Sequence, residues 1–377
     1  MKNKIFLFIT LFLFLFNCKN RETRIVNTAF HHWKSHLNVS DFEQSYCTSI
    51  NANTLYLRLF DVDFNKENKF PEPLAELKFN VNNLINFNKI IPTVFITNRT
   101  LINTPDTQID SLSTLIINKI RQITEGSNDA LNTQLNTELN KQLDTELNNQ
   151  LNVSIFKNKI NALLIDCDWT ELTRNKFFHL IKQLKTRADK QIITTIRLHQ
   201  IKYKEKTGIP PSDKGLLMAY NTGDLSDSKT INSILDINIL KAYIADLKAY
   251  PLELDVALPI FSWGIVKRDG QAVQLIPNCN KDFLIKNSKN TEGSYFENKN
   301  THTIDILKNG YFNGYYLYAD DVIKIEEIPI NELQKAANLL SRNINNKELT
   351  ISFFSLDSIN LKRYNAEYLK QLIQVFK

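Results

Sequence analysis

The chain has 377 residues, 43% hydrophobic and 23% charged, which fits a globular protein of one large or two ordinary domains. Its 46 basic and 40 acidic side chains give a formal charge of +6. The two signs are interleaved, so the surplus speaks for solubility and against a nucleic-acid partner.

The first twenty residues, MKNKIFLFITLFLFLFNCKN, carry two lysines, an apolar run from Ile5 to Phe16, then Asn17 and Cys18. The run is shorter than the roughly 20 residues of a spanning helix, and its basic flank matches an export signal. A cysteine directly after the run resembles a bacterial lipoprotein signal, with residues 1–17 removed and Cys18 becoming the lipidated first residue. Leu15 fits that pattern, whereas Asn17 is larger than the small residue usual there. An uncleaved anchor or an ordinary secretory signal is the alternative. The expectation is a lipid-anchored protein of the cell envelope on its periplasmic or surface face, held to the bilayer through Cys18, with residues 18–27 as a membrane-proximal linker. Cys47, Cys167 and Cys279 show no CxxC or Cys/His ligand spacing, so no structural zinc is expected. A Cys47–Cys279 disulfide is compatible with an exported protein but does not follow from sequence.

Apolar runs bounded by polar or turn residues follow one another down the chain: 28–33, 55–64, 89–98, 162–169, 191–200, 215–221, 252–263 and 314–320. Most are continuous rather than alternating, as strands buried on both faces are. Helical spacing lies between them. In 174–188, Phe177, Phe178, Ile181 and Leu184 share a face, and in 234–248 so do Ile237, Leu240, Ile244 and Leu247. Strand and helix alternating to eight strands predicts an α/β fold, a (β/α)8 TIM barrel over 28–330, with a short C-terminal β/α extension over 331–377. A Leu-rich insertion at 128–152 repeats leucine every fourth residue from Leu131 to Leu151. It reads as a lengthened surface helix, a partner-binding helix being the alternative.

Active groups of such a barrel gather at the C-terminal strand ends. The fourth run ends in LLIDCDWT, where Asp166 and Asp168 lie two apart and share a face. Two carboxylates so close raise one pKa. The second run supplies Arg58, Asp61 and Asp63, the fifth Arg197 and His199, the sixth Tyr220 and Asn221, the seventh Trp263, the eighth Tyr316, Tyr318, Asp320 and Asp321, and the first His31, His32 and Trp33. Carboxylates mixed with Trp and Tyr suit carbohydrate: sugar rings stack on aromatics, and glycosidic cleavage uses two carboxyl groups. The competing readings are an inert plug of Asp–Arg pairs, and core packing for Trp33 and Trp263. His31 and His32 lack a clear carboxylate–histidine set, so no metal is expected.

The phrases IDCDW, TTIRLHQ, TGIPPSDKGLLMAYN and LDVALPIFSWG together resemble an uncharacterised family of bacterial lipoproteins with a glycoside-hydrolase-like TIM barrel, over roughly residues 25–325. A more distant similarity is to chitinase-like glycoside hydrolases, whose fourth strand ends in alternating aspartates followed by a catalytic glutamate and whose sixth carries Met-x-Tyr-Asp. Asp166, Asp168, Met218 and Tyr220 match those phrases. Thr170 stands where the glutamate is expected, with Glu171 one step out of phase, and Asn221 replaces the aspartate.

The expectation is a membrane-anchored protein that binds or hydrolyses carbohydrate without a cofactor. Asp166 and Asp168 form its acidic centre, and Trp33, Asp61, Asp63, Arg197, His199, Tyr220, Asn221 and Trp263 bind substrate. The alternative is a non-catalytic envelope lipoprotein whose barrel is a scaffold for a protein or glycan partner.

Overall fold

A computed structural model describes residues 24–79, 81–84, 86–125, 156–225, 227, 229–280, 289–290, 293–294, 296–298, 302–312 and 314–377. The export signal, Cys18 and the leucine repeat lie outside the described residues.

Eight parallel strands close into a ring. They are β1 (Ile25–His32), β2 (Ala52–Asn65), β3 (Lys89–Ile96), β4 (Ala162–Cys167), β5 (Gln191–Arg197), β6 (Lys214–Met218), β7 (Leu254–Pro259) and β8 (Glu348–Phe354). Phe30 of β1 pairs with Leu55 of β2 on one side and with Phe353 of β8 on the other, which is the closure. The fold is a (β/α)8 barrel. Every residue of β4 and of β7 is buried, which explains why their sequences run apolar without alternation.

Helices cover the ring where the sequence shows helical spacing. Ile109–Glu125 (α1) buries Ile109, Leu112, Ile116, Ile117 and Ile120, and Arg174–Arg187 (α2) buries Phe177, Leu180, Ile181 and Leu184 against the sheet. The segment expected as one helix over 234–248 is helical only for Ile237–Tyr243 (α3) and in a single turn at Leu247–Ala249. Asp236 caps α3, accepting hydrogen bonds from the Asn238 and Ile239 amides.

The eighth strand is a correction. Residues 314–320 do not form a stave; the ring is closed by Glu348–Phe354, inside the segment read as a C-terminal extension. Between β7 and β8 the chain builds a five-stranded antiparallel sheet from Trp263–Arg268, Gln271–Pro277, Phe296–Asn298, Thr303–Ile306 and Val322–Glu326. Tyr315–Leu317 pairs with Gly310–Phe312 as a separate hairpin beside it. The inserted unit has its own core of Val266, Ile276, Cys279, Ile304, Ile323 and Ile325. Gly264 is required there: a Cβ would stand 2.8 Å from Ile323 and 2.9 Å from the Cys279 sulfur. The helix Ile330–Asn343 (α4), with Leu333, Ala336, Ala337 and Leu340 buried, then leads into β8.

Cys47, Cys167 and Cys279 are all buried and free. Cys167 packs as a small hydrophobe in β4.

Candidate functional site

The C-terminal ends of the staves bring together a cluster of half-buried rings. Phe354, the last residue of β8, is its hub. Its ring centroid lies 5.5 Å from Trp33, 5.5 Å from His31, 5.8 Å from Tyr220 and 5.8 Å from Phe261. Phe95 of β3 meets Trp33 edge-on at 6.5 Å, and Trp263 meets Phe261 at 5.3 Å. Trp33, Phe95, Phe261, Trp263 and Phe354 each keep part of their surface exposed. Such rings combine apolar faces with fixed positions.

Charged pairs surround the rings. Arg197 binds Asp168 through both carboxylate oxygens, its Nη2 donating at 2.7 Å and its Nε making the second bond. Arg58 grips Asp61 in the same two-pronged way, with Nε donating at 2.6 Å, while Nη1 donates to the Trp33 carbonyl at 3.3 Å. The Arg58 guanidinium lies 5.7 Å from the Trp33 ring centroid. Asp63 is set apart from these pairs. Arg99 and the Thr97 hydroxyl hold it, and the Arg99 hydrogen bonds draw its pKa down to about 2. Planar, bidentate pairing fixes orientation as well as charge.

Asp166 lies on β4 and Asp168 just past its end, and the two differ in environment. The Asp168 side chain is 46% exposed. Asp166 is buried and accepts a hydrogen bond from the Thr195 hydroxyl at 2.6 Å. Burial pushes its pKa up to about 6; Arg197 and Thr195 oppose that rise, and the charges of Asp168 and Asp61 add to it. Tyr220 lies buried beside this group with its hydroxyl unpaired among the described residues, and burial raises its pKa.

Two expected residues, His199 and Asn221, stand at the rim. The β5 strand ends at Arg197, and His199 falls on the exposed side of the helix Leu198–Lys202, so the period-two relation between them is lost. Burial together with the Arg197 charge lowers the His199 pKa. Asn221 is exposed with a positive φ of 56°, in a turn where its amide donates to the Ile234 carbonyl. Thr170 is also exposed, and Glu171 lies further along the same outward loop. Tyr316, Tyr318, Asp320 and Asp321, expected at the mouth, belong instead to the inserted unit.

The first strand's histidines are structural in placement. His31 is buried, stacks on Tyr56 at 4.6 Å and shares a 3.0 Å hydrogen bond with the Ser352 hydroxyl. Burial brings its pKa down to about 3, and that of His32 to about 4. Among the described residues no group of three His, Cys, Asp or Glu side chains is placed to hold a metal ion.

Sequence reasoning missed Phe354, Phe95, Thr195 and Glu326. Thr195 carried a usable signal, since it lies two before Arg197 on β5. Glu326 had none: it comes from the inserted sheet, yet it is buried and accepts from the Trp263 indole at 3.0 Å, the Ser233 amide at 2.8 Å and Lys324 at 2.6 Å. It thereby ties the loop after β6 and the inserted sheet to the ring of Trp263.

Solved structures with this architecture include a chitinase from Chromobacterium violaceum ATCC 12472, with a TM-score of 0.50 at 10% identity over 93% of this chain and 99% of that one. The Bacillus cereus spore cortex-lytic enzyme SleL follows at 0.49 and 10% identity, over 94% of this chain and 75% of that one. No family model and no curated protein matches the chain. The protein has a glycoside-hydrolase-like TIM-barrel fold. That likeness concerns architecture; activity rests on the residues at the mouth.

Proposed function

We propose that the barrel mouth binds a carbohydrate chain and leaves its glycosidic bonds intact. One observation carries this reading: Arg197 occupies both oxygens of Asp168, while Asp166 lies buried beneath with Thr195. Cleavage by two carboxyl groups needs one that reaches the leaving oxygen and another that reaches the opposite side of the sugar. At this mouth the half-buried carboxylates of Asp61 and Asp168 are each clasped by an arginine. Thr170, where chitinase-like sequences carry their acid, offers a hydroxyl that donates hydrogen bonds but is far too weak an acid to protonate a leaving oxygen.

Binding needs less. Sugar C–H faces stack on Trp33 and Trp263, the second ring held by its indole bond to Glu326. The Arg58–Asp61 and Arg197–Asp168 pairs offer donors and acceptors in fixed planes to hydroxyls, with His199, Asn221 and Asp63 further out and Tyr220 below. Preorganised donors of this kind select a ligand without paying ordering entropy on binding.

A glycan array probed with the mature protein tests this. Binding that weakens at least about tenfold in W33A supports the reading. A blank array, with an envelope protein captured instead, overturns it in favour of the scaffold. The elevated pKa of Asp166 favours a second reading, hydrolysis with Asp166 as the acid once Arg197 leaves Asp168. Reducing ends released by the wild type and absent in D166N and D168N would establish it.

We further propose that the chain is exported and anchored in the cell envelope by lipid on Cys18. The apolar run to Phe16 with its basic flank supports this. Metabolic labelling with a fatty acid should mark the wild type, and C18A should be unlabelled and released from membranes. Equal labelling of both would remove the anchor.

A further inference from the structure

Three tyrosines on the inserted unit form an exposed aromatic array that the barrel mouth does not use. Tyr311 is 81% exposed, Tyr318 46% and Tyr316 38%. Tyr311 and Tyr316 face each other across the hairpin Gly310–Phe312/Tyr315–Leu317, with ring centroids 4.9 Å apart at 71°. Tyr316 continues to Tyr318 at 5.0 Å and 80°. The Arg268 guanidinium lies 4.2 Å from the centroid of Tyr318. Arg268 is itself fixed, donating from Nε at 2.8 Å and Nη2 at 2.9 Å to Asp321. Asp321 is only 1% exposed and also accepts from the Tyr318 amide at 2.9 Å.

Exposing three contiguous rings in water is unfavourable, and each sits locked by its neighbour rather than folded onto the core. We propose that Tyr311, Tyr316 and Tyr318, backed by Arg268, form a second carbohydrate-binding strip on the inserted sheet. The proposal rests on the carbohydrate reading of the mouth and extends it to a polymer.

The chemistry of the strip selects this occupant. Tyrosine joins an apolar face to a hydroxyl, and the guanidinium adds planar donors; a sugar presents C–H faces and hydroxyls in the same alternation. A wholly apolar partner surface would strand three hydroxyls. The strip is also connected to the mouth. Trp263 begins the strand that Arg268 ends, so the two contacts are separated by about 17 Å along one strand. A polysaccharide reaches both, and a short oligosaccharide fills one.

The test uses the mature protein with insoluble chitin, cellulose and peptidoglycan, and with soluble chito-oligosaccharides. The variants are Y311A, the triple Y311A/Y316A/Y318A, and W33A at the mouth. Y311A changes a side chain almost free of packing, so it reports on binding even if the triple variant is unstable. The expected result is wild-type sedimentation with a polymer, weakened about tenfold in the triple variant and less in Y311A, with soluble oligosaccharide binding unchanged. Wild type and Y311A bound equally to polymer, with the folded triple variant also equal, overturns the strip while leaving the mouth reading in place. A parallel loss for short oligosaccharides overturns it as a separate site. A wild-type dimer that the variants turn into monomers makes the strip a self-interface and overturns it. A wild type that binds no glycan at all removes both readings.

Discussion

Two buried carboxylates lie in the same ring at opposite ends. Asp255, second residue of β7, sits at the bottom, where Lys214 pairs with it at 2.7 Å and the Thr350 amide donates at 2.7 Å. Asp166 sits at the top of β4, where a neutral hydroxyl, that of Thr195, donates to it and the neighbouring cation Arg197 is committed to Asp168. Burial raises the pKa of both. At the bottom the cation answers the buried charge directly. At the mouth it has been moved one residue pair outward, onto a carboxylate that meets solvent. The bottom pair neutralises a buried charge, and the upper one leaves polar groups at the mouth.

The largest effect should come from breaking the lower pair. K214M leaves Asp255 uncompensated, and a loss of about 3–5 kcal/mol is expected in urea unfolding. The double variant K214M/D255L should recover most of that loss. A loss below about 1 kcal/mol in K214M would mean that water reaches the bottom and the two ends are not different in kind.

Next in size is the pH response of Asp166. Its folded pKa of about 6 lies above its ordinary value of 3.8, so between those pH values the native state binds more protons than the unfolded one. The group therefore favours folding most when protonated, and that contribution is lost as pH rises through about 6. The shift corresponds to roughly 2–3 kcal/mol at about 1.4 kcal/mol per unit. His31 and His32 act in the opposite direction, since their folded pKa values of about 3 and about 4 lie below 6.5 and cost stability as pH falls. The difference between wild type and D166N separates the two. It should move in favour of the wild type as pH drops from 7 to 4, and a flat difference would place Asp166 in contact with water.

R197A sharpens the contrast further. Because the Asp168 side chain is 46% exposed, losing its partner should cost only about 1 kcal/mol of stability, while glycan affinity falls about tenfold. Stability loss on the scale of K214M would make the upper pair structural as well. Smallest of all, H199A on the exposed helix face should change the unfolding free energy by less than about 0.5 kcal/mol, which chemical denaturation resolves against wild type.

Much of this was legible in the chain. Strands β1 to β7 are legible because each contains an apolar run, and the neighbouring places of β4 and β5 in the ring bring Asp168, just past the end of β4, to Arg197. The eighth strand was hidden by its surroundings. The aromatic run 314–320 has the composition of a stave, but its Tyr315 and Tyr316 belong to a two-stranded hairpin, whereas ELTISFF at 348–354 follows a long insertion that interrupts the strand–helix rhythm. The hub ring Phe354 was lost with it. His199 was misjudged because a strand period was carried past Arg197, where helix begins. Glu326 lay beyond any local pattern, since its contact with Trp263 depends on how an inserted sheet folds back over the mouth.

The position of β8 also bears on how the molecule is made. Its partners are β1, near the start of the described chain, and β7, before the insertion. During synthesis the first seven staves emerge with two unpaired edges, and neither is covered until Glu348–Phe354 leaves the ribosome. Ring closure therefore waits for β8 and links strands far apart in the polypeptide, and a nascent chain truncated before Glu348 should remain open and prone to pair with strangers.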